Sequence, residues 1–123
     1  MAIYESGEDY LETILMLKNE KGTVRSVDVA ARMGYSKPSV SRAMHILKDA
    51  GLINMDESGH LSLTESGEEL AGRVYERHLV ITEYLINVLG VSEEVAKEDA
   101  CKLEHDLSDE TYGKIKELVK DKL

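Results

Sequence analysis

The stretch from residue 26 to residue 63 restricts the fold more than any other, because its hydrophobic period changes from helical to strand-like across a single glycine. Ser26 is placed to cap a short helix, Val27 to Met33, which Gly34 stops, with Tyr35 and Ser36 as the turn. Ser36 is then the N-cap of a second helix. Pro38 falls in its first turn, where a missing N–H does no harm, and Val40, Met44 and Leu47 form an apolar stripe up to Gly51. Two short helices joined by a tight turn are a helix-turn-helix. Beyond Gly51 the period is two. Leu52 to Met55, a polar turn Asp56-Glu57-Ser58-Gly59, and His60 to Leu63 predict a β-hairpin, which in this position is a wing.

Helices flank this unit on both sides. Ser6, with Asp9 three residues on as a capping box, opens a first amphipathic helix that ends near Lys21-Gly22. Thr64 opens a long helix with the stripe Leu70, Val74, Ile81, Leu85 and Val88, ending at Gly90. Ser92 caps the next, with Val95, Leu103 and Leu107 inside, and Ser108 the last, with Ile115, Leu118 and Val119. The expected fold is mainly α with a small β-hairpin: a winged helix-turn-helix over 1–70 and a helical dimerisation domain over 71–123. Trp and Phe are absent and Tyr supplies all six aromatics, so the core is made of Leu, Ile, Val, Met and Ala. The helical part is short for an independent core and is expected to pack on a second copy, as a homodimer. No apolar run approaches the roughly 20 residues of a membrane span. The start MAIYESGEDY has no basic stretch followed by an apolar one, which predicts a cytoplasmic protein with no membrane partner.

A formal net charge of −9 argues against nucleic acid until the charges are placed along the chain. Residues 23–50 carry Arg25, Arg32, Lys37, Arg42 and Lys48 against only Asp28 and Asp49, a basic island between acidic flanks. That island coincides with the second helix of the helix-turn-helix. There Ser36, Lys37, Pro38, Ser39, Ser41 and Arg42 put short hydroxyls and cations where a recognition helix meets base edges and phosphates. Arg25, ahead of the helix-turn-helix, and Lys48 are further phosphate-contact candidates. The plainer reading of all of these is cap and solvent-facing residues; the coincidence of basic island, turn and wing favours double-stranded DNA.

A second constellation lies in the segment Cys101-Lys102-Leu103-Glu104-His105. Residues three and four apart on a helix are neighbours, so Cys101, Glu104 and His105 share one face. That is half of a metal site. Asp9 and Glu12, three apart in the first helix, and His78 on the long helix are candidates for the remainder. Each has a plain reading by itself: Asp9 a capping partner, Glu12 a solvated carboxylate, His78 an interface histidine, Cys101 a buried small side chain. Carboxylate and imidazole donors suit Mn(II) and Fe(II), a thiolate draws preference toward Fe(II), Co(II) or Zn(II), and Cys101 offers its sulfur or its backbone carbonyl.

The residues KPSVSRAMHILKDAGL, the wing end LSLTESGEELA, the segment RVYERHLVITEYL and above all DACKLEHDLSDE resemble the diphtheria toxin repressor and manganese transport regulator family of metal-dependent repressors. The resemblance spans essentially the whole chain. Its E-H-x-L-S core stands here as Glu104-His105-Asp106-Leu107-Ser108. It implies a winged-helix domain plus a helical dimerisation domain, with binding to operator DNA when loaded with Mn(II) or Fe(II) and control of metal-uptake genes. Asp9, Glu12, His78, Glu104 and His105 match ligand positions of manganese-type members, which have Glu where this chain has Cys101. Iron-type members have Cys there but Met in place of Asp9, so the chain is a hybrid. Thr82 and Lys97 replace the Glu and His of the iron branch's ancillary site, so a full ancillary site is not expected. The chain length leaves no room for the C-terminal SH3-like domain of iron-type members, an architecture like the manganese branch.

Three carboxylates gathered without an ion repel. At about 5 Å and an effective dielectric near 20, each like-charge pair costs roughly 3 kcal/mol, so the metal-free site is expected to open. Two other classes compete with the metalloregulator. A winged-helix regulator of an organic ligand would share the DNA residues without needing the carboxylates. A small metal enzyme is disfavoured, since no nucleophile-base pair, Gly-rich phosphate loop or substrate-sized second domain accompanies the ligands.

Overall fold

A computed structural model of the 123-residue chain describes residues 5–122, with side chains over 6–120. Six helices and three short strands follow in the order α1 (Glu5–Lys21), β1 (Val24–Arg25), α2 (Ser26–Met33), α3 (Lys37–Asp49), β2 (Ile53–Met55), β3 (His60–Leu63), α4 (Glu65–Asn87), α5 (Glu93–Asp106) and α6 (Asp109–Lys122). They form two compact units, Met1–Gly72 and Arg73–Leu123, so α4 gives its first turns to one and the rest to the other.

The first unit is a helix-turn-helix with a wing. Leu11 and Ile14 of α1, Val24 of β1, Val29 of α2, Val40 and Met44 of α3 and Ile53 of β2 are almost wholly buried in one core with Leu61, Leu63 and Ala71. Gly34, at φ 72°, ends α2 in the left-handed conformation that a side chain resists, and its N–H donates to Ala30 O. The turn then delivers Ser36, whose Oγ accepts from the Ser39 N–H at 3.3 Å and caps α3. At the far end of α3, Thr64 donates to Gly51 O at 2.7 Å and caps α4 by accepting from the Gly67 N–H at 3.0 Å. A Cβ on Gly67 would lie 2.0 Å from Leu52 O, so only glycine allows this approach.

Several expectations need correction. The wing is a three-stranded antiparallel sheet in the order β1-β3-β2: Val24 and Arg25 pair with Leu61 and His60, and β2 pairs in the register Ile53↔Leu63. Helix α1 is already formed at Glu5, so Ser6 lies inside it and not at its N-cap. Ser26 is the first helical residue of α2, and Arg25 stands at the cap, its N–H donating to Asp28 Oδ2 at 2.9 Å.

The second unit packs Ile81 and Leu85 of α4 against Ala96 and Ala100 of α5, with Leu103, Leu107 and Tyr112 around them. Regular α4 geometry stops at Asn87, and a left-handed Gly90 (φ 76°) with Val91 N–H donating to Leu85 O completes the turn. Ser92 and Ser108 cap α5 and α6 as expected, accepting from Val95 N–H and Thr111 N–H. Three stripe residues are not interior: Val88, Val95 and Leu118 are exposed. Helical periodicity marks an apolar face without saying what covers it.

Candidate metal centre and nucleic-acid face

On α3 the apolar stripe Val40, Met44, Leu47 is buried, which turns Lys37, Pro38, Ser39, Ser41 and Arg42 to solvent, and Ser36 is exposed beside them. The Ser36 hydroxyl also donates to Ser39 Oγ at 2.8 Å, so these two hydroxyls already hold one another. Arg25 is exposed on β1. Part of the basic island is committed elsewhere. Arg32 forms a two-pronged pair with Glu20 at 2.8 and 2.9 Å, and Lys21 reaches Asp28 at 3.2 Å. The guanidinium pair holds the Glu20 carboxyl below its ordinary range. The cations left facing outward are Arg25, Lys37, Arg42 and Lys48.

In the second unit, α4 and α5 bring four of the six proposed ligands together. His78 Nδ1 lies 2.9 Å from Glu104 Oε2 and 3.8 Å from Cys101 Sγ, and His105 Nε2 is 3.3 Å from Glu104 Oε1. The spacing of Cys101, Glu104 and His105 along one helix makes this convergence possible. The Glu104 and His105 side chains are almost wholly buried, while Cys101 sits at the exposed rim. Glu104 Oε1 has no hydrogen-bond donor: His105 is near it but not in bonding geometry. A buried carboxylate oxygen with no donor is costly, and a cation is its natural complement. One carboxylate, two imidazoles and a sulfur fit a divalent transition ion. The Cys101 sulfur and the Glu104 carboxylate, opposed by burial, push the His78 imidazole up from 6.5 to about 10. In the metal-free chain that histidine is a cation that partly answers Glu104.

Asp9 and Glu12 lie on α1 in the first unit, three residues apart and so on one face; Glu12 is buried and Asp9 half-buried. At the two positions of the iron branch's ancillary site, Thr82 Oγ1 donates back to His78 O at 2.7 Å, and Lys97 pairs with Glu93 at 2.9 Å. Both are engaged within their own helices.

Sequence reasoning missed Arg77. Its Nη1 donates to Leu107 O at 2.8 Å and to Glu104 O at 3.3 Å, its Nη2 pairs with Asp109, and its guanidinium lies 4.7 Å from the centre of the Tyr112 ring. One signal was legible: positions three and four away on α4 are Val74, Val80, Arg73 and Ile81, none of them acidic.

A winged helix-turn-helix joined to a helical unit with a carboxylate–imidazole–thiol cluster around a buried glutamate defines a class, the winged-helix proteins that carry a metal-type donor set. The chain belongs to the iron dependent repressor family, a family of transcriptional repressors and not of enzymes: residues 2–61 match its N-terminal DNA binding domain and residues 64–122 its metal binding and dimerisation domain. It is 44% identical over 104 residues to the transcriptional regulator MntR of Escherichia coli, covering 85% of this chain and 66% of that protein. An uncharacterized HTH-type transcriptional regulator of Methanocaldococcus jannaschii is 35% identical over 123 residues, covering 97% of this chain and 98% of its own. Among solved structures, a manganese-dependent transcriptional repressor in complex with manganese superposes with a TM-score of 0.86 at 28% identity, over 93% of this chain and 52% of that one. The chain thus spans about two thirds of the MntR relative and half of the manganese repressor. Among the described residues no helix is long and apolar enough to cross a membrane.

Proposed function

We propose that the chain is a metal-dependent transcriptional repressor that binds operator DNA as a homodimer when loaded with Mn(II) or Fe(II), and so controls metal-uptake genes. The observation that carries this reading is the cluster of His78, Cys101 and His105 around Glu104, whose buried Oε1 lacks a donor. Those four residues would hold the ion; Asp9 and Glu12 are proposed as further ligands from their match to the family's ligand positions. When bound, the ion would supply positive charge beside the buried Glu104 carboxylate, and would favour a DNA-competent arrangement of the chain to the extent that its ligands fit that arrangement better. His78 would serve as a ligand only as the neutral imidazole, its proton passing to solvent. Glu104 presents two oxygens, and its buried position excludes competing water. Ser36, Lys37, Pro38, Ser39, Ser41 and Arg42 would face the major groove, with Arg25 on phosphate. Lys37 and Arg42 act there as point charge and fork.

Support for the homodimer comes from the second unit, which leaves Leu79, Val88, Leu89, Val95 and Leu118 exposed. The ion itself is assigned by donor chemistry: oxygen and nitrogen favour Mn(II) and Fe(II), and the Cys101 sulfur admits Co(II) and Zn(II) in vitro. The test is anaerobic titration of binding to a palindromic operator duplex with each ion, reversed with EDTA. Retention that depends on metal and is lost with EDTA is expected; retention indifferent to both removes the metalloregulator reading.

A further inference from the structure

We infer that Arg77 is a positioning residue for the metal ligands, an inference that rests on the metal reading above: its guanidinium fixes the end of α5, and with it Glu104 and His105, against the helix that carries His78. A helix C-terminus leaves its last carbonyls without internal donors. Helix α5 ends at Asp106, and Leu107 turns extended (ψ 138°), so the carbonyls of Glu104 and Leu107 converge on one side. A planar guanidinium is suited to two such acceptors at once and places positive charge at the negative end of the helix dipole. Arg77 does this from α4, with Nη1 on both carbonyls and Nη2 on Asp109 in the first turn of α6. The Tyr112 ring, at 4.7 Å, covers its face.

The placement matters because of its neighbours. Arg77 adjoins His78 in the chain, and one of the carbonyls it holds belongs to Glu104, whose carboxylate lies 2.9 Å from the His78 ring. Glu104 is therefore held at its backbone by Arg77 and at its side chain by His78. Only 17% of the Arg77 side chain is exposed, so the guanidinium is not a solvated charge that happens to lie nearby. Its partners are 27, 30 and 32 residues away, so it joins three helices at a corner beside the donor cluster. Loss of the clamp would let the α5 end drift while the helix itself persists. The ligand geometry would then be made at the moment of binding, at a cost in affinity.

The test uses Co²⁺ as the probe, added anaerobically to the full chain. The readouts are affinity by chelator competition, the visible ligand-field and sulfur charge-transfer bands, and melting of the metal-free protein. Arg77→Met is expected to weaken Co²⁺ binding on the order of 10- to 100-fold and to alter the cobalt bands. Arg77→Lys, which keeps the charge but not the fork, is expected to recover part of the affinity. Asp109→Asn, which removes only a fully exposed ion-pair partner, is expected to stay within about twofold of the parent. An Arg77→Met protein that melts lower but keeps parental affinity and bands would overturn the inference, reducing Arg77 to a structural cap. If Arg77→Met does not fold, Arg77→Lys decides: weaker binding with altered bands supports positioning, and parental values overturn it. Failure of the parent chain itself to bind Co²⁺ would remove the metal reading, and this inference with it, an outcome distinct from equal binding by parent and variants.

Discussion

The two units solve the problem of a small core to different degrees. In the first, every element gives apolar side chains to one interior, from Leu11 and Ile14 through Met44 to Ile53 and Leu63. In the second, the buried apolar residues are Val74, Ile81, Leu85, Ala96, Ala100 and Val119, with Glu104 buried beside them, while five large apolar residues from Leu79 to Leu118 face outward. The first unit also buries a carboxylate, Glu12, and exposes Val27, Tyr35 and Ile46, so the contrast is one of degree: the second has the smaller buried apolar set and the larger exposed one. The difference separates a unit closed by its own packing from one that is less closed. Helix α3 is held by packing within the first unit, whereas the second buries Glu104 Oε1 without a hydrogen-bond donor and leaves five large apolar residues exposed.

The contrast can be broken most severely in the first core. Ile14→Ala, at a wholly buried position, should cost about 2–5 kcal/mol by denaturant unfolding in EDTA. A loss near zero would deny that the core is closed. In the second unit the corresponding change is chemical. Glu104→Gln keeps the shape but removes the charge, and should reduce metal-dependent operator affinity by the whole coupling, on the order of 5- to 150-fold, with metal-free binding unchanged. Gel-shift titration with and without Mn²⁺ reads it.

A third effect is set by pH. His78 is held up at about 10, so its contribution to metal-free stability is complete below about 6.5 and is lost as pH rises through about 10. Because the ion must displace that proton, metal affinity should rise about tenfold per pH unit between about 7 and 9. In His78→Gln the slope should fall by about one proton per ion; an unchanged slope would assign the proton elsewhere. The smallest effect concerns the outward face. Leu118→Asp, at a half-exposed site, should move monomer unfolding by less than about 0.5 kcal/mol while weakening self-association in sedimentation. A large loss of monomer stability would mean that this residue is core.

Much of the first unit was legible because its signals are local. Ser36 capping α3, Gly34 and Gly51 ending helices, and the polar turn before His60 each act within a few residues of themselves. Strand β1 was not legible, since two residues carry no period and Val24 and Arg25 become a strand only by meeting β3. Ser26 was misplaced by one residue because serine suits both the cap and the first helical position, and the Arg25 N–H to Asp28 bond that decides between them is not visible in composition. In the second unit the spacing of Cys101, Glu104 and His105 announced a shared face. Arg77, in contrast, acts across 27 to 32 residues, and no local rule predicts its partners. Val88, Val95 and Leu118 kept the right period but have no partner surface within the unit.

The most direct measurement is hydrogen exchange of the full chain with and without Mn²⁺, compared between the α5 amides from Glu93 to Asp106 and the α3 amides from Lys37 to Asp49. If the helical unit is completed by an ion at Glu104, Mn²⁺ slows exchange in α5 far more than in α3, and Glu104→Gln abolishes the difference. Equal exchange in α5 with and without the ion, under conditions where Mn²⁺ is bound, would contradict it.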